Sequence, residues 1–234
     1  MLKLARLEYK KNNIAKYIRN ACILALVLCL FLFAMVFLGI ANDPDGTLDA
    51  VEGKDTVSVQ IELFTSISYI IFTGVMLASF IISAYKDKTM QLMFSYPVKR
   101  QKILVSKMIA VWFFNFIALT VTKLLLYTCI YIGARSLPAS FIVDFNMGNI
   151  SFYIQIILKS IVLVSMGFIA LFAGMVLKSS KASIITSFLL IFLTQANIGD
   201  FSLAGNPGVP VILMVISLAS AALSVRNVET RDLI

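Results

Sequence analysis

Read from the N-terminus, the chain alternates long apolar runs with short polar connections. Six runs are predominantly apolar: 21–41, 63–84, 108–133, 152–177, 182–198 and 208–225. At a helical rise of about 1.5 Å per residue, the shortest reaches roughly 26 Å and the longest roughly 39 Å, against a hydrocarbon core of about 30 Å. The strict alternation of a membrane β-barrel is absent, so the runs predict helices. The expected fold is therefore all-α, a polytopic integral membrane protein of six transmembrane helices forming one domain over 1–234. The fifth and sixth runs are marginal in length and cross a thinned bilayer or pair as a helical hairpin.

The polar segments add three features. Within 1–19, Leu4, Leu7, Ile14, Ala15 and Ile18 share one helical arc while Lys3, Arg6, Lys10, Asn13 and Lys16 occupy the other. That pattern predicts an amphipathic helix lying in the membrane interface, with Lys11 out of register on the apolar arc. The connection 42–62 opens on an Asp-Pro-Asp-Gly turn, is acidic, and is too short for a folded domain. The stretch YKDKTMQLMFSYPVKRQKILVSK, from Tyr85 to Lys107, places six basic residues between two apolar runs. As a helix it puts Asp87, Lys88, Gln91 and Ser95 on one arc, with Met90, Met93 and Phe94 opposite. Pro97 stops that helix, because it lacks a donor and biases Tyr96 out of the helical region.

Composition confirms the environment and charge gives it a direction. With 60% hydrophobic and 14% charged residues in 234, the chain is far more apolar than a soluble domain. Sixteen Lys and Arg fall in 1–20, 85–107, 178–181 and the tail; the opposite connections hold Lys54 and Arg135 with Asp43, Asp45, Asp49, Glu52, Asp55, Glu62, Asp144 and Asp200. Basic connections stay in the cytoplasm, so both termini and the basic island are expected there, in a multi-pass protein of the cell membrane. Placed this way, the net charge of +8 points to membrane lipid and not to nucleic acid. The N-terminal run is longer than a secretory leader's apolar core and is expected to be a retained span.

Catalytic chemistry is scarce. The chain has no His, which removes His-based zinc, haem and protease sites, and no G-x-x-x-x-G-K-S/T phosphate loop. Cys22, Cys29 and Cys129 all fall in apolar runs and imply no disulfide framework. No metal site or bound cofactor is expected. Two charges stand at membrane depth, Lys123 in the third run and Lys159 in the fourth, and an intramembrane lysine is costly enough to be a functional candidate. Lys159, near the end of its run, has snorkelling as the alternative. With Asn115, Gln155, Gln195 and Asn197 they are candidates for a polar pathway or for helix-helix hydrogen bonds.

The Tyr85–Lys107 stretch resembles the membrane subunits of ATP-binding-cassette (ABC) type-2 transporters. Those permeases carry between spans two and three a segment of the form E-K-x-x-G-T-x-x-x-L-L-x-x-P-x-x-R-x-x-I/L-x-x-x-K. It is matched here through Thr89, Leu92 with Met93, Pro97, Arg100, Ile103 with Leu104, and Lys107, with Lys88 where Gly is common and Asp87 where Glu is usual. The resemblance implies a cytosolic coupling helix over 85–97 that docks on a separate ATPase through Asp87, Lys88, Thr89, Gln91, Leu92, Ser95, Pro97 and Arg100. It also implies ATP and Mg in that partner, a homodimer or a heterodimer with a related permease, and no catalysis by this chain. An exporter of amphipathic peptides, lipids or drugs, including antimicrobial ones, is the expected function. The alternatives are a regulatory or assembly protein that binds anionic lipid through its basic connections, and a secondary transporter, against which the lack of intramembrane acids argues.

Overall fold

The computed structural model describes residues 9, 14–37, 57–82, 100–136, 145–177, 179–195, 197–198, 201–202 and 208–230. They form six helices: α1 (Ile14–Phe37), α2 (Val57–Leu77), α3 (Arg100–Ser136), α4 (Ile150–Val176), α5 (Ser180–Gln195) and α6 (Gly208–Thr230). A five-residue π-helical turn, Ala78–Ile82, extends α2. Among the described residues the one departure from helix of any regularity is a two-residue antiparallel pairing of β1 (Asn197–Ile198) with β2 (Phe201–Ser202). Four helices are long and apolar enough to cross a membrane: α1, α2 with its π turn, α3 and α4. The other two carry shorter apolar stretches, Ser180–Phe192 and Val211–Arg226.

Connectivity gathers the start of α1, the end of the π turn, the starts of α3 and α5 and the ends of α4 and α6 at one end of the bundle. Lys16, Arg19, Lys102, Lys181 and Arg226 are all exposed there, and we refer to it as the basic end. Helix α4 packs on α6, α5 and α2, while α2 also packs on α5 and α3; α1 lies to one side, against α3 and α2. Ala21, Ala25, Leu28, Leu32 and Val36 form the buried stripe of α1 at helical spacing. Leu26 and Leu30 face outward, as a hydrocarbon solvent permits.

Small residues allow the close approaches. A Cβ on Gly74 of α2 would collide with Ser187 Oγ of α5, and one on Gly167 of α4 would stand 2.6 Å from Thr73 Cγ2 of α2. Backbones in lipid gain by such proximity, because packing and hydrogen bonding replace the missing hydrophobic drive. Ser160, Ser165, Ser187 and Ser224 each return their hydroxyl to the carbonyl four residues back, so these serines enter the bundle without an unsatisfied donor. Helix α4 starts where Gly148 N donates to Asn146 Oδ1 and Phe152 N bonds to Asn149 O. Pro210 sits in the first turn of α6, where its missing N–H is not needed.

Several sequence expectations need correction. Residues 14–19 are the first turns of α1, continuous with the span, and not part of a separate interfacial helix, because nothing between Arg19 and Cys22 breaks a helix. Helix α2 begins six residues before the expected 63, which places Glu62 inside the helix and not in the acidic connection. Helix α3 begins at Arg100 and not at 108, so Arg100, Lys102 and Lys107 extend the span instead of preceding it. Helix α5 ends at Gln195, and Asn197–Ile198 is extended, in a stretch rich in the poor helix formers Asn, Gly and Asp. Of the remainder of the expected interfacial helix only Tyr9 is among the described residues, and the whole of 85–97 lies outside them.

Candidate functional site

Two arrangements of polar groups stand out against the apolar bundle. The first, in the half remote from the basic end, centres on Glu62. Its Oε2 accepts a hydrogen bond from Lys123 Nζ of α3 at 2.6 Å, and its Oε1 lies 3.9 Å from Lys159 Nζ of α4. The Lys123 side chain has no exposure, Glu62 retains 19% and Lys159 58%. Ile61, next to Glu62, and Leu126 and Tyr127, one turn beyond Lys123, belong to a buried apolar cluster with Ile130 and Ile156, completed by Leu28, Leu32 and Val36 of α1. In such surroundings an isolated charge is prohibitively expensive, and the short ion pair is what lets either group sit there.

The second arrangement lies at the basic end, where α2 leaves the bundle. Lys107 is buried in α3 and its Nζ donates to Phe80 O of the π turn at 3.1 Å. A π turn shifts the backbone ladder and leaves carbonyls to be satisfied from outside. Tyr17 of α1 reaches the same turn: its hydroxyl shares a 2.7 Å hydrogen bond with Ser79 Oγ, and its ring meets Phe80 edge-on at 5.1 Å. Tyr9 donates to Ala110 O of α3 at 2.6 Å, fastening the N-terminal segment to the same helix. Burial pushes the Tyr9 phenol above its usual range, so it remains a donor. Met76, Leu77, Ile81, Leu104, Met108 and Leu171 pack the junction, making the exit of α2 and the entry of α3 one rigid unit.

The sequence candidates are distributed accordingly. Lys123 and Lys159 meet at Glu62. Asn115 is buried two turns of α3 toward the basic end, with Nδ2 donating to Val111 O at 2.9 Å and reaching Met76 S at 3.4 Å. Gln155 is exposed on α4, one turn before Lys159. Gln195 closes α5 and Asn197 lies in β1, opposite Ser202. Asp87, Lys88, Thr89, Gln91, Leu92, Ser95 and Pro97 lie outside the described residues, and Arg100 is the first residue of α3.

The family model for the ABC-2 family transporter protein matches residues 10–205, most of the chain. The chain belongs to the ABC-2 transporter family. It is also similar to "Uncharacterized protein YcbO" of Bacillus subtilis (strain 168), at 26% identity over 239 residues that cover 99% of this chain and 100% of that protein. No solved structure matches. ABC-2 membership makes the chain a membrane subunit and implies a cytosolic ABC ATPase as partner. The ABC-2 match takes in α1 to α5, the 83–99 stretch and every residue of both polar arrangements except Tyr9.

Two residues escaped sequence reasoning. Glu62 stands at the margin of an apolar run, where sequence pattern groups it with the loop acids; the signal for it is a lone acid at a helix edge in a chain with two membrane lysines. Lys107 is legible in sequence as the last basic residue of the island and of the motif, but its pairing with Phe80 O rests on the π turn, which no residue pattern announces.

Proposed function

We propose that this chain is the permease subunit of an ATP-driven exporter. It crosses the cell membrane six times, with α5 and α6 as the short spans, keeps both termini in the cytoplasm, and assembles as a dimer with itself or a related permease. Its cargo is an amphipathic peptide, lipid or drug. ATP and Mg are held by the partner ATPase, which docks on 85–97 through Asp87, Lys88, Thr89, Gln91, Leu92, Ser95 and Pro97, with Arg100 at its edge.

The observation that carries the reading is the junction at the basic end. The segment 83–99 joins the π turn to α3, and Lys107 clamps these two flanking elements by donating to Phe80 O. A rigid-body displacement of the docked segment is therefore passed to α2 and α3 together, and through Tyr17 to α1. Such transfer needs a stiff joint, and a buried charge-assisted hydrogen bond supplies one.

Co-purification tests the reading. The solubilised full chain is expected to recover an ABC ATPase from the cytosol of its source when 85–97 is intact, and to lose it when Asp87→Arg is combined with Gln91→Glu. An ATPase retained at wild-type level by that variant moves docking elsewhere; recovery of none by a folded wild-type chain favours a regulatory protein that binds anionic lipid.

A further inference from the structure

The charges around Glu62 do not balance. One carboxylate faces two ammoniums, and Lys123 takes the carboxylate at hydrogen-bonding distance within a closed environment. Lys159 is left at 3.9 Å with 58% of its side chain exposed, nine residues past the start of α4. That is about 14 Å along the helix axis. A surplus ammonium at this depth in a membrane is stabilised by a counter-anion.

The surface of α4 beside it is built for one. Ser151, Gln155 and Lys159 recur every four residues and are all exposed, so they form a polar line running from the start of α4 to the ion pair. Ile154 and Leu158 flank the line and are also exposed. A face meant only for acyl tails would look like the outward face of α1, which offers Leu26, Val27 and Leu30.

We propose that this line is a seat for the anionic headgroup of an amphiphile. Its phosphate or carboxylate pairs with the Lys159 ammonium, the Gln155 amide and Ser151 hydroxyl donate to the remaining oxygens, and its chain lies along Ile154 and Leu158. Charge complementarity selects this occupant over a second copy of the chain. Within the six helices the acids are Glu62, whose charge is already taken by Lys123, and Glu229 at the end of α6 at the basic end, so the spans of a second copy hold no spare carboxylate in the half where Lys159 lies. The same chemistry is offered by an anionic lipid of the bilayer and by a free anionic amphiphile on its way across. The seat is a property of this chain's surface and does not rest on ATP coupling.

The test is native mass spectrometry of the full chain released from nanodiscs that contain equal phosphatidylglycerol and phosphatidylcholine. The wild type is expected to retain phosphatidylglycerol roughly tenfold more than phosphatidylcholine, as loss of one charged hydrogen bond would imply. Lys159→Gln is expected to lose that preference and Lys159→Arg to keep it. Displacement by dodecyl phosphate, but not by inorganic phosphate, identifies a free amphiphile as a competent occupant; retention of phosphatidylglycerol without displacement identifies the bilayer lipid. Equal retention by wild type and Lys159→Gln, with no binding of dodecyl phosphate, overturns the proposal. Should Lys159→Gln not fold, a photoreactive phosphatidylglycerol on the wild type decides: crosslinks within 151–159 support the seat, and crosslinks confined elsewhere sink it.

Discussion

Lys123 Nζ lies 2.6 Å from Glu62 Oε2, joining α3 to α2 across 61 residues of sequence by a buried ion pair. Neither group would be stable there alone. Removing one partner of such a pair costs about 3–5 kcal/mol, whereas replacing both by neutral groups of similar volume is close to neutral.

Lys123→Met is therefore expected to lower thermal stability in detergent, and Lys123→Met with Glu62→Gln to restore most of it. Lys159, with Nζ 3.9 Å from Glu62 Oε1, is a substitute partner in the single variant. Lys123→Met with Lys159→Gln should then lose more than the two single losses together. Additive losses would mean that Lys159 takes no part in holding Glu62.

The clamp at the basic end makes a different prediction. Lys107→Met leaves Phe80 O without its donor, at an expected cost of about 1–3 kcal/mol. Hydrogen exchange should rise in the π turn, 78–82, before it rises in the middle of α2. Once a partner ATPase is reconstituted, ATP hydrolysis should persist while transport falls, because the joint that passes the motion has been loosened. Transport and hydrolysis falling in step would assign Lys107 to folding alone.

Close packing of α2 on α5 rests on Gly74, where any Cβ meets Ser187 Oγ. Gly74→Val is expected to destabilise by about 1–3 kcal/mol through overpacking. Combining it with Ser187→Gly should recover part of that loss, a rescue visible as a raised melting temperature relative to Gly74→Val.

The position of α1 can be checked through its thiols. Cys29 Sγ lies 3.1 Å from Cys129 Sγ of α3, both as free thiols, while Cys22 is exposed. Copper phenanthroline with dioxygen should oxidise Cys29 and Cys129 to an intramolecular disulfide, leaving one of the three cysteines open to a membrane-permeant alkylating reagent. Cys129→Ser should leave both remaining cysteines reactive. A crosslink that instead joins Cys22 to either residue would displace α1 from its place beside α3.

Most of the architecture was legible in local pattern. Each of the six apolar runs falls on one of the six helices, though α2 and α3 begin six and eight residues earlier, since a membrane demands long uninterrupted apolar stretches and helices that satisfy their own backbones. The motif from Thr89 to Lys107 identified the family for a related reason, because spacing along one short segment needs no knowledge of the rest. Helix ends were less legible. Glu62 and Lys107 read as loop residues because a charge normally stays out of lipid, and only the pairing of Glu62 with Lys123 and the burial of Lys107 against Phe80 O show why each is tolerated inside a helix.

The sequence by itself determined that the chain is helical, belongs in a membrane, and concentrates its basic residues at one end, since these follow from the composition of contiguous segments. Only the tertiary structure decided which charges meet. Glu62 and Lys123 are 61 residues apart, and Phe80 and Lys107 are 27 apart. Their contacts depend on how α2, α3 and α4 are rotated and shifted against one another, which is set by packing such as Gly74 on Ser187 and Gly167 on Thr73. A rotation of one residue, about 100° on a helix, would have turned either lysine to the lipid.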